Sequence, residues 1–455
     1  MKPGINRRQF MQKSLAGAAA TPLVARTVAA TAEAAPKPVA ANDRVQVGVI
    51  GVGARVQQRG GLLDAAMAVP GVEIVGVCDA YTGRVERAIE RTGGRAKDYG
   101  DWRSILADES IDAVIIGTPD HWHREQTIAA LEAGKDVYLE KPMTLTIDEG
   151  PAMIAAAEKS DRILQIGSNG MSSYLQQTAR DIVKSGKLGK ITLIRATYDR
   201  NTDSGAWLYP IPPDANEKTV NWEAFLGPAP ERPFSLERFF RWRCFWDYSG
   251  GIATDLFVHL MTTIHYVMDA GMADMVMATG ENVLHQDTHE VPDTLIAAAT
   301  YPKEGFSVSL GGTFNNSSGS QSGFAILGTE GSLVFQGREL TFRPENPVES
   351  NGWIVSSWPA ALEKEYWADP EVQKREMPGT WPSRMNGEGE TWSEVGPGST
   401  HIHMGRFFDS VRTRKPSIQD ARRGHHAAAV PHMVNESIKR KGPVYWDAER
   451  EVLRS

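Results

Sequence analysis

Cysteine is nearly absent from this sequence, whose 455 residues include only Cys78 and Cys244. Cys78 ends an apolar run that is typical of a central strand, where a thiol acts as a small core side chain. Two such residues do not make a disulfide framework, and no cysteine cluster has the spacing of a zinc site. The sequence therefore excludes the disulfide-stapled and zinc-finger classes of protein.

Positive charge is not in excess either. The chain has 49 basic and 56 acidic side chains, and its formal net charge is −7. A protein of this charge has no basic field that attracts phosphate backbones, so we do not expect it to bind nucleic acid. The same balance leads us to expect a substrate that is neutral or small.

Long apolar runs are also lacking. After residue 42 no stretch of the sequence reaches the roughly 18 to 20 apolar residues that are needed to cross a bilayer, so we expect no membrane insertion. The composition is nevertheless globular, since 41% of the residues are hydrophobic and 23% are charged. Because one hydrophobic core seldom organises more than roughly 250 to 300 residues, we expect two domains.

The first 42 residues have the pattern of a sorting signal. Arg7 and Arg8 precede a mildly apolar stretch, residues 14–24, and an alanine-rich tail, residues 30–34. This order of regions is that of a twin-arginine export signal. We therefore expect residues 1–42 to be a signal peptide and linker, and the mature protein to lie in the periplasm or elsewhere outside the cytoplasm. A disordered basic N-terminus is the alternative.

Short apolar runs rich in β-branched residues alternate with helical segments in the next part of the chain. Such runs are typical of strands that are buried on both faces of a parallel sheet. The alternation predicts a doubly wound α/β domain of the Rossmann type over residues 43–167. The predicted strands are Val45–Ile50, Val72–Cys78, Ala113–Ile116, Asp136–Glu140 and Leu164–Ile166, and the predicted helices are Gly61–Ala68, Arg84–Thr92 and Ile147–Lys159.

From residue 168 to residue 455 the pattern changes. After a helix at Tyr174–Ser185, strand candidates follow one another without crossover helices, which predicts an α+β domain with an open-faced, largely antiparallel sheet. Residues 345–400 are rich in Pro, Gly and Trp and show no clear period, so we expect a long ordered insertion there. The predicted strands are 191–198, 274–279, 293–301, 306–313, 324–327, 332–335 and 340–343, and the closing helices are His403–Arg412 and Asp420–Lys439.

A glycine-rich turn follows the first predicted strand. Gly51 and Gly53 allow the backbone to turn tightly and to approach a pyrophosphate, although Val56 stands where the dinucleotide fingerprint has its third glycine. The second strand ends in Asp79, whose carboxylate can accept hydrogen bonds from both hydroxyls of an adenosine ribose. The same carboxylate would repel a 2′-phosphate, so the sequence predicts NAD rather than NADP. A glycine-rich turn beside a surface aspartate is the alternative.

Motifs after the later strands are more specific. Thr118–His123 and Glu140-Lys141-Pro142, together with the glycine turn, resemble the glucose–fructose oxidoreductase, inositol dehydrogenase and rhizopine catabolism family (Gfo/Idh/MocA). Asp255 and His259 form a D-x-x-x-H element that is similar to that of the same family. The resemblance covers essentially the whole chain after residue 42, and the further elements that resemble an exported branch of the family are Asn221-Trp222, Leu226–Pro230, Gly250-Gly251, Gly424-His425 and Trp446-Asp447.

This resemblance implies an active site between the Rossmann domain and the sheet domain. Oxidation of a carbinol needs a group that takes the hydroxyl proton, and a partly desolvated Lys or His can have a pKa near neutrality. We assign His259 as the principal acid/base, Lys141 as its proton partner and charge stabiliser, and Asp255 as the group that orients the substrate. The residues expected at the NAD site are Gly51, Gly53, Ala54, Arg55, Asp79, Thr118, Pro119, His121, Trp122, His123, Glu140, Lys141 and Asn169.

The same residue types are also compatible with simpler roles. A Lys-Pro pair after a strand is usually a loop lysine, and an Asp/His pair four residues apart often stabilises only its own helix. His121 and His123 could bind a metal ion with His259 and Asp255, but a nicotinamide enzyme needs none, so we expect no metal. Trp122 could cover the nicotinamide. The aromatic residues that could stack on a sugar, or simply pack in the core, are Trp207, Tyr209, Trp242 and Trp246.

Export bears on the chemistry, because free NAD is scarce outside the cytoplasm and the twin-arginine route carries proteins that are already folded. We therefore expect an oxidoreductase of sugar or cyclitol CH–OH groups that keeps and recycles its cofactor. We also expect a homo-oligomer. One alternative is an NAD-dependent glycoside hydrolase, which oxidises the sugar, eliminates the glycosidic group, adds water and reduces the ketone again, with Tyr174 as a candidate extra base. A second is a non-catalytic sugar-binding protein of the same fold.

Overall fold

The structure, a computed structural model, describes residues 44–317, 323–345, 351–376 and 389–454. The predicted signal peptide and linker, residues 1–42, lie outside these ranges, so export stays a prediction. Part of the predicted insertion at residues 345–400 lies outside them as well.

A six-stranded parallel sheet forms the N-terminal domain. Its strands are β1 Val45–Ile50, β2 Val72–Cys78, β3 Lys97–Asp98, β4 Ala113–Ile116, β5 Asp136–Leu139 and β6 Leu164–Ile166. The order β3-β2-β1-β4-β5-β6 confirms the predicted doubly wound fold, in which crossovers return each strand parallel to the one before. The sequence does not predict β3, because its two residues are exposed and form no apolar run.

Helices cover both faces of this sheet, and every residue of β4 and β5 is buried. The predicted helix that starts at Ile147 begins as a 3-10 turn, where the side chains of Thr146 and Glu149 form a capping box. The helices of this domain are α1 Ala54–Gln57, α2 Leu62–Met67, α3 Thr82–Arg91, α4 Trp102–Ala107, α5 His123–Glu132 and α6 Gly150–Lys159.

A ten-stranded mixed sheet forms the second domain and confirms the predicted, largely antiparallel architecture. Its strands are β7 Ile191–Asp199, β8 Met275–Glu281, β9 Thr294–Tyr301, β10 Phe306–Thr313, β11 Gly323–Gly328, β12 Gly331–Gln336, β13 Glu339–Pro344, β14 Glu390–Ser393, β15 Val444–Asp447 and β16 Val452–Leu453. The order is β14-β13-β12-β11-β7-β10-β9-β8-β15-β16. Strands β7 and β10 are parallel, and the remaining neighbouring strands run antiparallel.

One face of this sheet is buried and the other is open. Along β9, Leu295, Ala297 and Ala299 are buried, whereas Ile296 on the opposite face is 61% exposed, as the period of two in a strand requires. The buried face packs against long helices. None of the helices in the described part of the chain is long and apolar enough to cross a bilayer. The helices of this domain are α7 Tyr174–Lys184, α8 Trp222–Leu226, α9 Leu236–Phe240, α10 Val258–Met268, α11 Gly352–Val355, α12 Ala360–Ala368, α13 Pro370–Glu376, α14 Ser399–Thr413 and α15 Ala421–Arg440.

The predicted insertion contains more regular structure than its sequence indicates. Short helices α11, α12 and α13 lie in it, and β14 extends the main sheet by pairing with β13. Glu376 holds the helical part together, because its carboxylate accepts hydrogen bonds from Asn351 and from the hydroxyl of Tyr366. Helix α12 buries none of its residues, so it has no apolar stripe that a sequence pattern could show.

Helix α14 returns from the end of the chain to the N-terminal domain. Met404, Phe407 and Phe408 enter the core between the parallel sheet and its helices. Just beyond the helix, Arg414 donates hydrogen bonds of 2.7 and 2.6 Å to the two carboxylate oxygens of Asp136, at the start of β5. The core of the N-terminal domain is therefore completed by residues that are remote in sequence.

Several histidines are enclosed by this packing. In the folded protein they are neutral at pH 7, whereas in the unfolded chain they titrate near pH 6.5. Burial lowers the pKa of His121, His403 and His425 to about 4, and the pKa of His259, His265 and His432 to about 3. The unfolded state therefore binds more protons than the folded state once the pH is below about 6.5.

We expect the free energy of unfolding to decrease as the pH is lowered from 6.5 to 4, by up to about 1.4 kcal/mol per pH unit for each such histidine. Urea unfolding at half-unit pH intervals measures this slope. His265→Gln removes one of the six groups and is expected to make the slope shallower. A free energy of unfolding that stays constant between pH 6.5 and 4.5 would contradict the neutral, buried state of these side chains.

Candidate active site

The turn after β1 has the shape that a dinucleotide pyrophosphate requires. Gly51 has a φ of +78°, and a Cβ at this position would lie 2.8 Å from the amide nitrogen of Thr118. Only glycine fits here, so the backbone stays open to the cavity beside it. Gly53, Ala54 and Arg55 continue along the same wall. These residues fit the pyrophosphate of NAD.

Asp79, at the end of β2, is held in place by the glycine turn. Its Oδ2 accepts a hydrogen bond of 2.9 Å from the amide of Val52, and its Oδ1 accepts one of 3.0 Å from the amide of Tyr81. Arg84, which the sequence analysis does not identify, lies 3.5 Å from Oδ1 and stacks over the ring of Phe240. The wall that would hold the adenosine ribose thus carries a carboxylate and a guanidinium.

A cleft runs from this wall to the second domain. Its main cavity, of about 730 Å³, is lined by Asp79 at one end and by Arg243 and Asp255 at the other. A second cavity of about 310 Å³ contains Lys141 and His259 and shares Arg243 and further lining residues with the first. Ligand sites usually have volumes of about 300 to 1,000 Å³, so the joined cavities have room for a dinucleotide and a small substrate.

An ion cluster lies where the two domains meet. Lys141 Nζ donates a 2.9 Å hydrogen bond to Asp255 Oδ1 and a 2.7 Å hydrogen bond to the Asp255 carbonyl. Arg243 Nε donates to the same Oδ1 at 3.1 Å. Burial alone would raise the pKa of Asp255, but the charges of Lys141 and Arg243 outweigh it and hold that pKa well below its usual range. The carboxylate is therefore ionised at neutral pH.

His259 lies beside this cluster, on the first turn of α10. Burial and the charge of Lys141 lower its pKa to about 3, although Asp255 acts in the opposite direction. Its ring makes no side-chain hydrogen bond with any part of the chain that the structure describes, and it lines the second cavity. The neutral imidazole is thus available to accept a proton from a bound molecule.

Asp120 is a second carboxyl group at this end of the cleft, and the sequence analysis does not assign it a role. It is almost fully buried, and no side chain of the described residues bonds to its Oδ2. Burial and the charge of Asp255 raise its pKa well above the usual range, although Arg243 and Lys141 oppose them. The surroundings therefore shift the two carboxyl groups in opposite directions: they favour the protonated form of Asp120 and the ionised form of Asp255.

Most of the residues predicted for the cofactor site line the joined cavities. Asn169, which donates a hydrogen bond to the hydroxyl of Thr400, lies beside His259. Glu140 accepts a 2.8 Å hydrogen bond from Arg55 Nε. The predicted residues found on the cavity walls are Gly51, Gly53, Ala54, Arg55, Asp79, Thr118, Pro119, Trp122, Glu140, Lys141 and Asn169.

His121 and His123 lie elsewhere, which corrects their predicted place on the cofactor wall. His121 lies in the 3-10 turn at Asp120–Trp122 and His123 is the first residue of α5, and both side chains are buried. His121 Nε2 donates a 2.8 Å hydrogen bond to the carbonyl of Phe225. The nitrogens of His123 lie 2.7 Å from the carbonyl of Pro142 and 3.0 Å from that of Thr118. The two histidines therefore position the loops that carry the site, because buried ring nitrogens need partners.

The same geometry bears on the metal hypothesis. The ring nitrogens of His123 face backbone carbonyls, and one nitrogen of His121 does so as well. Within the described ranges, no group of three or more His, Cys, Asp or Glu side chains could hold a metal ion.

The candidate sugar-stacking residues divide into two sets. Trp207, Tyr209 and Trp242 line the main cavity, whereas Trp246 lies under the ammonium group of Lys439 and is not among the lining residues. Tyr174 is 39% exposed on α7 and does not line the described cleft, so it is not placed to act as an extra base there. The helical sequence pattern around Tyr174 contains no information about the distance of this residue from the cleft.

Two models of one protein family match this chain. The model described as "Oxidoreductase family, NAD-binding Rossmann fold" matches residues 45–168, and the model described as "GFO/IDH/MocA C-terminal domain" matches residues 224–334. Together the two ranges span just over half of the chain. The chain belongs to the Gfo/Idh/MocA oxidoreductase family. Its N-terminal domain is accordingly an NAD-binding Rossmann domain, as the glycine turn and Asp79 indicate.

Curated relatives within this family match part of the chain. Inositol 2-dehydrogenase of Salmonella typhimurium is 30% identical over 155 residues, which are 34% of this chain and 46% of the relative. A glycosyl hydrolase family 109 protein of Shewanella baltica is 29% identical over 215 residues, 43% of this chain and 46% of the relative. The match thus spans about half the length of these relatives.

Solved structures show the same fold over most of the chain. A levoglucosan dehydrogenase in complex with NADH and levoglucosan superposes with a TM-score of 0.62 at 22% identity, covering 88% of this chain and 99% of that one. An aldose–aldose oxidoreductase from Caulobacter crescentus, complexed with glycerol, has a TM-score of 0.62 at 15% identity and the same coverage. At these identities the likeness concerns the Gfo/Idh/MocA fold alone.

The wall formed by Asp79 and Arg84 predicts how cofactor choice can be changed. Asp79→Ser removes the carboxylate that repels a 2′-phosphate and releases Arg84 from its ion pair, so we expect NADP to bind more tightly relative to NAD by about 10-fold or more. Titration of cofactor-free protein with both dinucleotides measures the ratio. In Asp79→Ser/Arg84→Gln the gain is expected to disappear. An unchanged ratio in the single variant would remove Asp79 from the ribose site.

Proposed function

We propose that this protein is an NAD-dependent oxidoreductase that acts on a CH–OH group of a sugar, glycoside or cyclitol. The observation that carries the proposal is one cleft with the Gly51 turn and Asp79 at one end, and Lys141, Asp255 and His259 at the other. Relatives that are named inositol 2-dehydrogenase and levoglucosan dehydrogenase support this class of substrate. The presence of all three acid/base residues, Lys141, Asp255 and His259, argues against a non-catalytic sugar-binding protein.

Each polar group of the site has its own role in the oxidation. NAD, when bound, supplies the hydride acceptor. The neutral His259 ring is in the form that accepts the hydroxyl proton. The ammonium group of Lys141 has a third N–H beyond its two bonds to Asp255, and its charge favours an oxygen that becomes negative. Asp255 Oδ2 has no hydrogen-bond partner among the described residues, so it can accept a bond from a neighbouring substrate hydroxyl.

This assignment predicts that His259→Ala and Lys141→Met each lower turnover by about 10² to 10⁴-fold. The assay incubates protein with a panel of sugars, cyclitols and aryl glycosides and follows the absorbance of reduced cofactor. The matched controls are His285→Ala and Lys439→Met, which lie outside the described cleft. Cofactor content is expected to be unchanged in all four variants. Near-normal turnover in both cleft variants would refute the assignment.

A second candidate function is an NAD-dependent glycoside hydrolase. The match to glycosyl hydrolase family 109 proteins supports it, whereas the placement of Tyr174 away from the cleft removes one candidate base. The same panel separates the two functions, because aryl glycosides report both reactions. Release of aglycone without net accumulation of NADH would support the hydrolase, and NADH without aglycone would support the dehydrogenase.

We further propose that the protein is exported. The order of Arg7 and Arg8, the apolar stretch and the alanine-rich tail supports a twin-arginine signal. An exported enzyme that released its cofactor at each turnover would lose it by dilution. Retention of NAD is also consistent with the cleft, because residues of both domains line it and would enclose a bound cofactor.

Export with retained cofactor predicts that mature protein recovered from its native compartment contains close to one nicotinamide dinucleotide per chain. Cell fractionation followed by denaturation and mass spectrometry of the released small molecules measures this ratio. Cytoplasmic protein of the same chain is the control. Protein that is recovered empty outside the cytoplasm, and that is active only with millimolar added NAD, would contradict bound cofactor.

A further inference from the structure

Positive charge exceeds negative charge at the substrate end of the cleft. Lys141 and Arg243 both bond to the single carboxylate of Asp255. Asp120, the second carboxyl group beside them, is almost fully buried, and burial and the charge of Asp255 raise its pKa and so favour its neutral form. The two cations, Lys141 and Arg243, therefore share one carboxylate, that of Asp255.

Arg200 adds a third cation to this end of the cleft. It follows β7 and lines the main cavity with Arg243 and Tyr209. Its Nη1 donates a 3.1 Å hydrogen bond to the carbonyl of Gly205, and its guanidinium lies 5.5 Å from the ring centre of Tyr198. Within the described ranges, no acidic side chain lies within ion-pair distance of Arg200. Because a guanidinium has five N–H donors, it can bind a ligand in addition to Gly205.

The position of Arg200 separates it from the cofactor phosphates. The guanidinium of Arg200 lies over the ring of Tyr198, and Tyr198 lines a further cavity together with His259, so Arg200 is near the acid/base group. The glycine turn has its own nearby cations, Arg55 and Arg84, which are paired with acidic residues. Arg200 is therefore a cation of the substrate end of the cleft rather than of the pyrophosphate wall.

We propose that the substrate is an acidic sugar, a uronic acid or a glycoside of one, whose carboxylate binds Arg200 beside Arg243. This inference rests on the proposed function and specifies its substrate class. A guanidinium presents parallel N–H groups that match the two oxygens of a carboxylate. Surplus charge in a partly closed cavity is unfavourable until a ligand of opposite charge neutralises it.

This substrate class differs from the neutral one that the net charge of −7 suggests. Net charge averages over the whole surface, whereas a ligand responds to the few charges within about one Debye length, roughly 8 to 10 Å. Most of the acidic residues that set the total lie elsewhere, and the substrate end of the cleft has a local excess of the opposite sign.

The test compares matched sugars on the protein loaded with NADH, so that binding is measured without oxidation. Isothermal titration with D-glucuronate and D-glucose, and with methyl β-D-glucuronide and methyl β-D-glucoside, gives four dissociation constants. We expect the acidic member of at least one pair to bind about 10-fold to 100-fold more tightly, with an advantage that shrinks as sodium chloride is raised.

Arg200→Gln is expected to abolish that advantage and to leave the affinity for the neutral member within about 2-fold. Arg195→Gln, at an exposed position on the same strand, is the matched control and should retain the advantage. Thermal unfolding and cofactor content verify that both variants are folded. Equal affinities for acidic and neutral sugars, or an equal loss for both in Arg200→Gln, would overturn the inference.

Failure of the inference and failure of the proposed function give different results. Arg200-dependent binding of uronates by a protein that neither reduces cofactor nor releases aglycone would retain the binding site for an acidic sugar and reject the proposed function. Turnover of neutral sugars with no preference for acidic ones would support the proposed function and reject the inference about the substrate.

Discussion

Lys141 follows β5, the last but one strand of the Rossmann sheet, and Asp255 precedes α10 of the second domain, yet their side chains meet at 2.9 Å. Both side chains are at least nine-tenths buried, so removal of Asp255 would leave the Lys141 ammonium group buried without its carboxylate, at a cost of about 3 to 5 kcal/mol. Because each domain supplies one partner, the acid/base end of the cleft exists only when the domains are assembled.

The ion pair also determines the state of its neighbours. Asp255 is ionised because two cations contact it, and its negative charge in turn adds to burial in raising the pKa of Asp120. The charge of Lys141 adds to burial in keeping His259 neutral. The site thus presents a neutral base, a cation and an anion within one cavity, a combination that suits removal of a proton from a hydroxyl. The same arrangement leaves the substrate end positive once Arg200 is included.

Support for these groups comes from residues that do not face the cleft. His123 lies within hydrogen-bond distance of the carbonyls of Thr118 and Pro142, so it joins the loop after β4 to the loop that carries Lys141. Phe225 accepts hydrogen bonds from both His121 and Trp122, which attaches the second domain to the first. His121 and His123, which have the spacing of metal ligands in the sequence, therefore stabilise the loops around the site. Their spacing alone cannot distinguish a metal-binding role from this structural one.

The sequence by itself determined most strands of the two sheets, several of the longer helices, the glycine turn and the choice of Asp79, Lys141, Asp255 and His259 as candidate site residues. These features are local, since residues that are adjacent in the sequence specify a buried strand, a tight turn or a motif. It did not determine β3, the short helices near Glu376, the inward rings of His121 and His123, or the roles of Asp120, Arg200 and Arg243. Each of these depends on neighbours that are remote in sequence, as Asp255 is 114 residues from Lys141. The tertiary structure alone decided which side chains share the cleft and with what charge, because burial and Coulomb interactions depend on distance in space.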